Sequence, residues 1–238
     1  MTTYSIPLSV IIMYVLLIPC AAFFIYVKHR AEERPTVAAT ILKGVSTWII
    51  ICAALIGTLG RFGQPSVFSV LIIAGLAMGL SGDVAISLSK QDKLGLKAGM
   101  FFFGLGHLCY IAALIIVSRL VLASALIFVA LYAVVFIVLL RNRANLKELF
   151  VPVLVYSAAI TYMLSISVTM PFSVFPGGSI LLVAGILFVI SDTLLAKNNF
   201  PVSGTFVPSP ATGRREVVLL ICYFLAQSLF ALSVYYFA

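Results

Sequence analysis

The stretch VFSVLIIAGLAMGLSGDVAISLSKQDK, Val67–Lys93, decides how the rest of the chain is read. From Val67 to Leu88 it has the length and apolar character of a bilayer-crossing helix, which needs about 20 residues. It ends in a loop that carries Lys90 and Lys93. Within the apolar run stands one carboxylate, Asp83. The arrangement returns in GILFVISDTLLAK, Gly185–Lys197, where Asp192 lies near the end of another apolar run. A chain that places a carboxylate inside a hydrophobic segment twice calls for a physical reason.

Lipid, not water, is the main solvent of this chain. Of its 238 residues 63% are hydrophobic and only 9% charged, and the mean hydropathy is +1.22. Soluble domains average about 25% charged residues. A formal charge of +8 would ordinarily suggest a nucleic-acid partner. Here the basic residues sit in short clusters between apolar runs, which is the pattern of membrane topology, so no nucleic acid is expected. Cys20, Cys52, Cys109 and Cys222 all fall inside apolar runs with no metal-ligand spacing, and they read as small packing residues. No zinc motif, P-loop or dinucleotide fingerprint occurs, so neither metal nor cofactor is expected.

The expected fold is all-α, a polytopic transmembrane bundle forming one domain over 1–238. It has eight spans: Leu8–Val27, Ile41–Leu59, Val67–Leu88, Ala98–Val117, Leu120–Leu140, Leu149–Thr169, Gly177–Ala196 and Val217–Phe237. Charge tests the count. If loops alternate sides, the odd loops hold Lys28, Arg30, Arg34, Lys43, Lys90, Lys93, Lys97, Arg141, Arg143, Lys147, Lys197, Arg214 and Arg215. The even loops hold only Arg61 and Arg119. Cytoplasmic loops collect Lys and Arg, so the odd loops face inward and both termini face outward. The first span lacks a basic region before it and reads as a retained helix rather than a signal peptide. The segment Asn198–Glu216, rich in Pro, Gly, Ser and Thr, reads as a cytoplasmic connector or a lid. AGLAMGLSGD and AGILFVISD, four spans apart, hint weakly at a parallel four-plus-four duplication.

Five of the seven acidic residues, Glu32, Glu33, Asp92, Glu148 and Glu216, belong to loops or helix ends. Asp83 and Asp192 remain inside spans. Each costs about 2.5–3.5 kcal/mol at a helix centre, so such residues normally face the bundle interior and mark function. With a rise of about 1.5 Å per residue, Asp83 lies roughly 10 Å from Lys90 and Asp192 roughly 7–8 Å from Lys197. Both therefore belong to the cytoplasmic half. His107 and Tyr110 share a helix face by their i, i+3 spacing, and Tyr223 and Gln227 form a similar stripe. Tyr156 and Lys43 can also reach this depth. The plainer readings are interhelical hydrogen bonding for Tyr and Gln, and snorkelling for Lys43. Ser81 and Ser191 are placed to cap or orient the aspartates, and Gly75, Gly79 and Gly82 to admit a close helix.

Two carboxylates in a poorly solvated site divide into one protonated acid and one ion, the arrangement that acid–base hydrolysis uses. LSGDVAISL, GMFFFGLGHLCYIAAL, GILFVISDTLLAKNNF and YFLAQSLFALS together resemble the YhhN-type lysoplasmalogenase family. Its G-D element stands as Gly82-Asp83. Its F-x-x-G-x-x-H-x-x-Y helix stands as Phe103, Gly104 or Gly106, His107 and Tyr110. Its S-D-x-x-L-A element stands as Ser191 to Ala196, and its Y-x-x-x-Q helix as Tyr223 and Gln227. The order and spacing of these elements, over nearly the whole chain, are more specific than any one of them. Where the family often reads Lys-Pro at the start of span two, this chain has Lys43-Gly44.

The resemblance implies hydrolysis of the vinyl ether of lysoplasmalogens to a fatty aldehyde and a glycerophospho-ethanolamine or -choline. Asp83 and Asp192 are then the catalytic pair. His107, Tyr110, Ser191, Tyr223 and Gln227 orient them, and Lys43 or the cytoplasmic arginines meet the lipid phosphate. The short loops suggest a bacterial inner membrane. The alternatives are a proton-coupled transporter using the same aspartates, an intramembrane aspartyl protease, and a scaffold. Gly79-Leu80-Ser81-Gly82-Asp83 only superficially resembles the G-x-G-D element of such proteases. A scaffold with structural acid–base pairs is the least economical, because no basic partner is expected within the spans at matching depth.

The charge asymmetry makes a direct prediction. In intact cells, a thiol introduced as Arg119→Cys should react with a membrane-impermeant reagent, and one introduced as Lys147→Cys only after permeabilisation. The opposite labelling would invert the topology.

Overall fold

The computed structural model describes residues 7–30, 37–62, 65–88, 93–175, 177–199 and 214–237. Eight of its helices are long and apolar enough to cross a membrane. They are α1 (Leu8–Arg30), α2 (Val37–Phe62), α3 (Val67–Leu88), α4 (Lys93–Val117), α5 (Val121–Arg141), α7 (Phe150–Ser173), α8 (Gly178–Asn199) and α9 (Arg214–Phe237). A single turn, α6 (Arg143–Leu146), and a 3-10 turn, Lys147–Leu149, precede α7. No strand occurs among the described residues. The all-α, eight-span reading therefore holds.

Helix α3 covers the span expected for it, and most others run a few residues further. The expected spans stop at charges, but the helices do not. Near lipid the backbone satisfies its polar groups most cheaply within a helix, while Lys and Arg reach outward on flexible stems. The basic stretch after α5 is also not a plain loop. Leu146 and Leu149 are buried, so the chain coils to insert them. Lys147 adopts a φ of 48°, and this left-handed residue lets the chain leave α6 and turn into α7. The expected connector or lid, residues 198–216, lies largely outside the described residues.

Six helices close a ring in which α2 packs on α3, α3 on α4, α4 on α7, α7 on α8, α8 on α9, and α9 back on α2. Helix α1 leans on α2 and α5 on α7, outside the ring. Helix α9 is the most enclosed span and α5 the least. Polar groups pin the outer helices. Tyr14 Oη donates to the Ser228 carbonyl 3.0 Å away, and Lys28 pairs with Glu216, both joining α1 to α9. Tyr132 Oη donates to the Leu154 carbonyl at 2.8 Å and joins α5 to α7.

This neighbour pattern repeats between the two halves of the chain. The pairs α1–α2, α2–α3 and α3–α4 correspond to α5–α7, α7–α8 and α8–α9, and the halves meet through α4–α7 and α9–α2. The arrangement agrees with the four-plus-four duplication hinted at around the two aspartates. It breaks at α9: α3 and α1 both pack on it, while the equivalent pairs, α8 with α4 and α5 with α4, do not pack closely. Small residues explain the difference. Four residues before Asp83 stands Gly79, and four before Asp192 stands Phe188. A Cβ on Gly79 would lie 2.6 Å from Gln227 Nε2 of α9.

Other glycines bring α3 against α4. A Cβ at Gly82 would lie 2.9 Å from the Phe103 ring, and one at Gly106 3.0 Å from the Gly75 carbonyl oxygen. At Gly75 it would lie 2.4 Å from the Tyr110 ring, which cannot retreat because it stacks on Phe230 at a centroid distance of 4.2 Å. Gly75→Ala should therefore overpack this contact and cost about 1–3 kcal/mol, read as a lowered thermal midpoint in detergent. Gly44→Ala is the control. Its Cβ would meet nothing closer than Leu80 Cδ1 at 3.8 Å, and its midpoint should hold or rise, since alanine favours a helix interior by up to about 1 kcal/mol.

Candidate functional site

Each aspartate projects from an apolar helix into the ring and is met from one helix beside it in the ring and from one that is not next to it in the ring. Asp83 on α3 is buried, and its partners come from α2 and α9. Lys43 Nζ lies 2.5 Å from its Oδ1. The contact is an ion pair by distance, although the ammonium approaches off the line that a directed hydrogen bond needs. Tyr223 Oη donates to Oδ2 at 2.8 Å. Behind Tyr223 the donors continue in one direction. Gln227 Nε2 donates to Tyr223 Oη at 3.0 Å, and Tyr110 Oη donates to Gln227 Oε1 at 2.6 Å. In a medium of low dielectric such a chain polarises along its length and ends as positive potential at Asp83.

Asp192 on α8 draws its partners from α7 and α4. Tyr156 Oη donates to its Oδ2 through a short hydrogen bond. His107 Nε2 lies 3.4 Å from the same oxygen and 3.1 Å from Tyr156 Oη. His107 is buried, and its Nδ1 has no hydrogen-bond partner among the described residues. The Asp192 side chain is 14% exposed against 3% for Asp83, so Asp192 is the more accessible acid.

The duplicated packing extends to these contacts. Lys43 on α2 occupies the role that Tyr156 fills on α7, and Tyr223 on α9 the role of His107 on α4. Phe188 fills the space between the two clusters. Its ring lies 4.8 Å from His107 and 5.9 Å from Tyr223, centroid to centroid, and so touches one partner of each carboxylate. Phe103 and Phe224 add further faces to Tyr223. The polar groups thus sit in an aromatic wall that keeps their surroundings apolar.

Several sequence expectations change here. His107 and Tyr110 share a helix but serve different carboxylates: His107 meets Asp192, while Tyr110 feeds the chain that ends on Asp83. The stripe of Tyr223 and Gln227 is held together directly. Ser81 does not orient Asp83, because its hydroxyl donates to the Ala77 carbonyl 3.0 Å away. Ser191 is buried, and no described hydrogen bond joins it to Asp192. Of the two sequence readings of Lys43, one reaching the depth of the acids and one snorkelling, the first is what the structure has, so a basic partner does stand at matching depth. Lys43 stands six residues into α2, roughly 9 Å along its axis and so at about the depth inferred for Asp83. Its ammonium meets Asp83 rather than standing free for a phosphate. Phe188 gave no signal in sequence, since one aromatic in an apolar run looks like any other. Among the described residues no cluster of His, Cys, Asp and Glu could hold a metal ion.

Such a constellation can exchange protons and stabilise a cation. It offers two carboxylates, phenols and an imidazole in apolar surroundings, where charges act strongly on one another. None of the curated proteins or solved structures compared with it matches the chain. The YhhN family model matches residues 38–234, a span that runs through α2 to α9 and includes every side chain of both carboxylate clusters. By that match, and with eight apolar helices that carry two inward-facing carboxylates, the chain belongs to the YhhN family.

Proposed function

We propose that this protein hydrolyses the vinyl ether bond of alkenyl lysophospholipids, releasing a fatty aldehyde and the glycerophospho-ethanolamine or -choline. The observation that carries the reading is the pair of carboxylates, Asp83 and Asp192, each held by its own donors, with the Phe188 ring against one partner of each. A vinyl ether is inert until its β-carbon is protonated, and protonation leaves an oxocarbenium ion. A carboxylic acid supplies the proton, and a nearby carboxylate lowers the energy of the cation. Water adds to the α-carbon, and the hemiacetal collapses to aldehyde and alcohol. The chemistry needs no redox step.

Supporting this reading are the membership of the YhhN family, whose lysoplasmalogenase-type members the sequence motifs resemble, and the apolar ring, which suits a single-chain lipid. Under the topology proposed from the basic loops, the site lies in the cytoplasmic half of a bacterial inner membrane. There a lysolipid would lie with its head group at the surface and its ether bond a few ångströms deeper. His107 and Tyr156 orient Asp192, and Tyr223, Gln227 and Tyr110 orient Asp83.

The test is aldehyde release from an alkenyl lysophospholipid by the purified protein in detergent. Loss of a positioned acid or base typically costs 10²–10⁴-fold, so Asp83→Asn and Asp192→Asn should each lose on that order while remaining folded. Full turnover in both variants would refute the paired-aspartate reading. A folded wild-type protein that releases no aldehyde, but takes up protons with an unchanged solute in vesicles, would make it a transporter instead.

A further inference from the structure

We infer that the two aspartates have fixed and different roles, assigned by Lys43: Asp83 is permanently ionised, and Asp192 is the carboxyl group that carries and moves the proton. The inference rests on the hydrolytic reading for its chemistry but not for its geometry. Both oxygens of Asp83 are engaged by groups that favour the anion. The Lys43 ammonium lies at Oδ1, and the Tyr223 hydroxyl, last in the donor chain from Tyr110, donates to Oδ2. A proton added to Asp83 would be held against the Lys43 charge and against the Tyr223 donor.

At Asp192 the pattern is different. Tyr156 and His107 both meet Oδ2, and no described residue meets Oδ1. One oxygen is anchored and the other is available to hold a proton. Asp192 is also the more exposed of the two.

The groups that face each acid can be named helix by helix. Asp83 meets Lys43 from α2 and Tyr223 from α9. Asp192 meets Tyr156 from α7 and His107 from α4. The asymmetry is thus built into an otherwise repeated arrangement. Where α2 presents an ammonium, α7 presents a phenol. Lys43 is therefore a positioning residue that acts through Asp83, not a phosphate ligand.

The roles balance over one turnover. Asp192 transfers its proton from Oδ1 to the β-carbon of the vinyl ether, and the C=C π pair forms the new C–H bond. The resulting oxocarbenium ion is stabilised by ionised Asp83. Water attacks the α-carbon and gives one proton to the Asp192 carboxylate, which becomes a carboxylic acid again. As the hemiacetal collapses, Asp192 passes its proton to the departing glyceryl oxygen and takes the proton of the hemiacetal hydroxyl. Asp192 ends protonated, Asp83 is unchanged, and one water has been consumed.

The test reads protonation directly and needs no substrate. Infrared difference spectra of the detergent-purified protein at neutral pH should show the C=O stretch of one buried carboxylic acid. The band should vanish in Asp192→Asn and persist in Asp83→Asn. In Asp192→Glu it should persist at a displaced frequency, which serves should the asparagine variant fail to fold. Lys43→Met should add a second carboxylic-acid band as Asp83 takes up a proton, and should lose aldehyde release by tenfold or more. Lys43→Arg should show one band and regain most of the turnover. A single band that vanishes in Asp83→Asn instead, or no band in wild type, would overturn the assignment. Correct bands in a protein that releases no aldehyde would leave the assignment standing and refute only the hydrolytic reading.

Discussion

A carboxylate cannot sit in a lipid-embedded bundle without something to replace its water. An isolated ion there is so costly that it would neutralise or be expelled. Asp83 is the extreme case here, and the geometry around it follows from that constraint. Its charge is met by Lys43 from one neighbouring helix and by the phenol of Tyr223 from another. Tyr223 is itself held by Gln227, and Gln227 by Tyr110. To bring these groups in, α3 must lie close to both α4 and α9. Glycines at 75, 79 and 82 make that approach possible. The glycines, the aromatic stacking and the buried ion pair are parts of one solution to a single solvation problem.

The second carboxylate has the same architecture with different occupants. Asp192 is flanked by α7 and α4 as Asp83 is flanked by α2 and α9, but it faces a phenol and an imidazole rather than an ammonium. Buried ion pairs are weak sources of stability, because the desolvation of both charges nearly cancels their attraction. Lys43 is thus better understood as fixing the state of Asp83 than as holding α2 to α3. Phe188, standing where the other half has Gly79, keeps α4 and α8 apart and places one ring against a partner of each acid. That one difference in a repeated frame explains why α3 approaches α9 while α8 and α4 stay apart.

Much of this was legible before any coordinate. Eight spans follow from length and hydropathy, because the bilayer sets how many apolar residues a crossing needs. Asp83 and Asp192 stand out because nothing else acidic lies within the apolar runs. The pairing of Tyr223 with Gln227 follows from helical spacing. Helix ends were less legible, since a charge ends an apolar count without ending a helix. The turn at Arg143–Leu149 was hidden because its only signals are two leucines in a basic stretch.

The sequence by itself determined the solvent, the number of crossings and the identity of the two buried acids, because each depends on composition along the chain. The tertiary structure alone decided which groups meet which acid. His107 and Tyr110 sit one turn apart yet serve different carboxylates, and Lys43 faces Asp83 across a helix interface. Partner choice depends on how helices rotate and how closely they approach. Those are set by packing among side chains far apart in sequence, which no local pattern records.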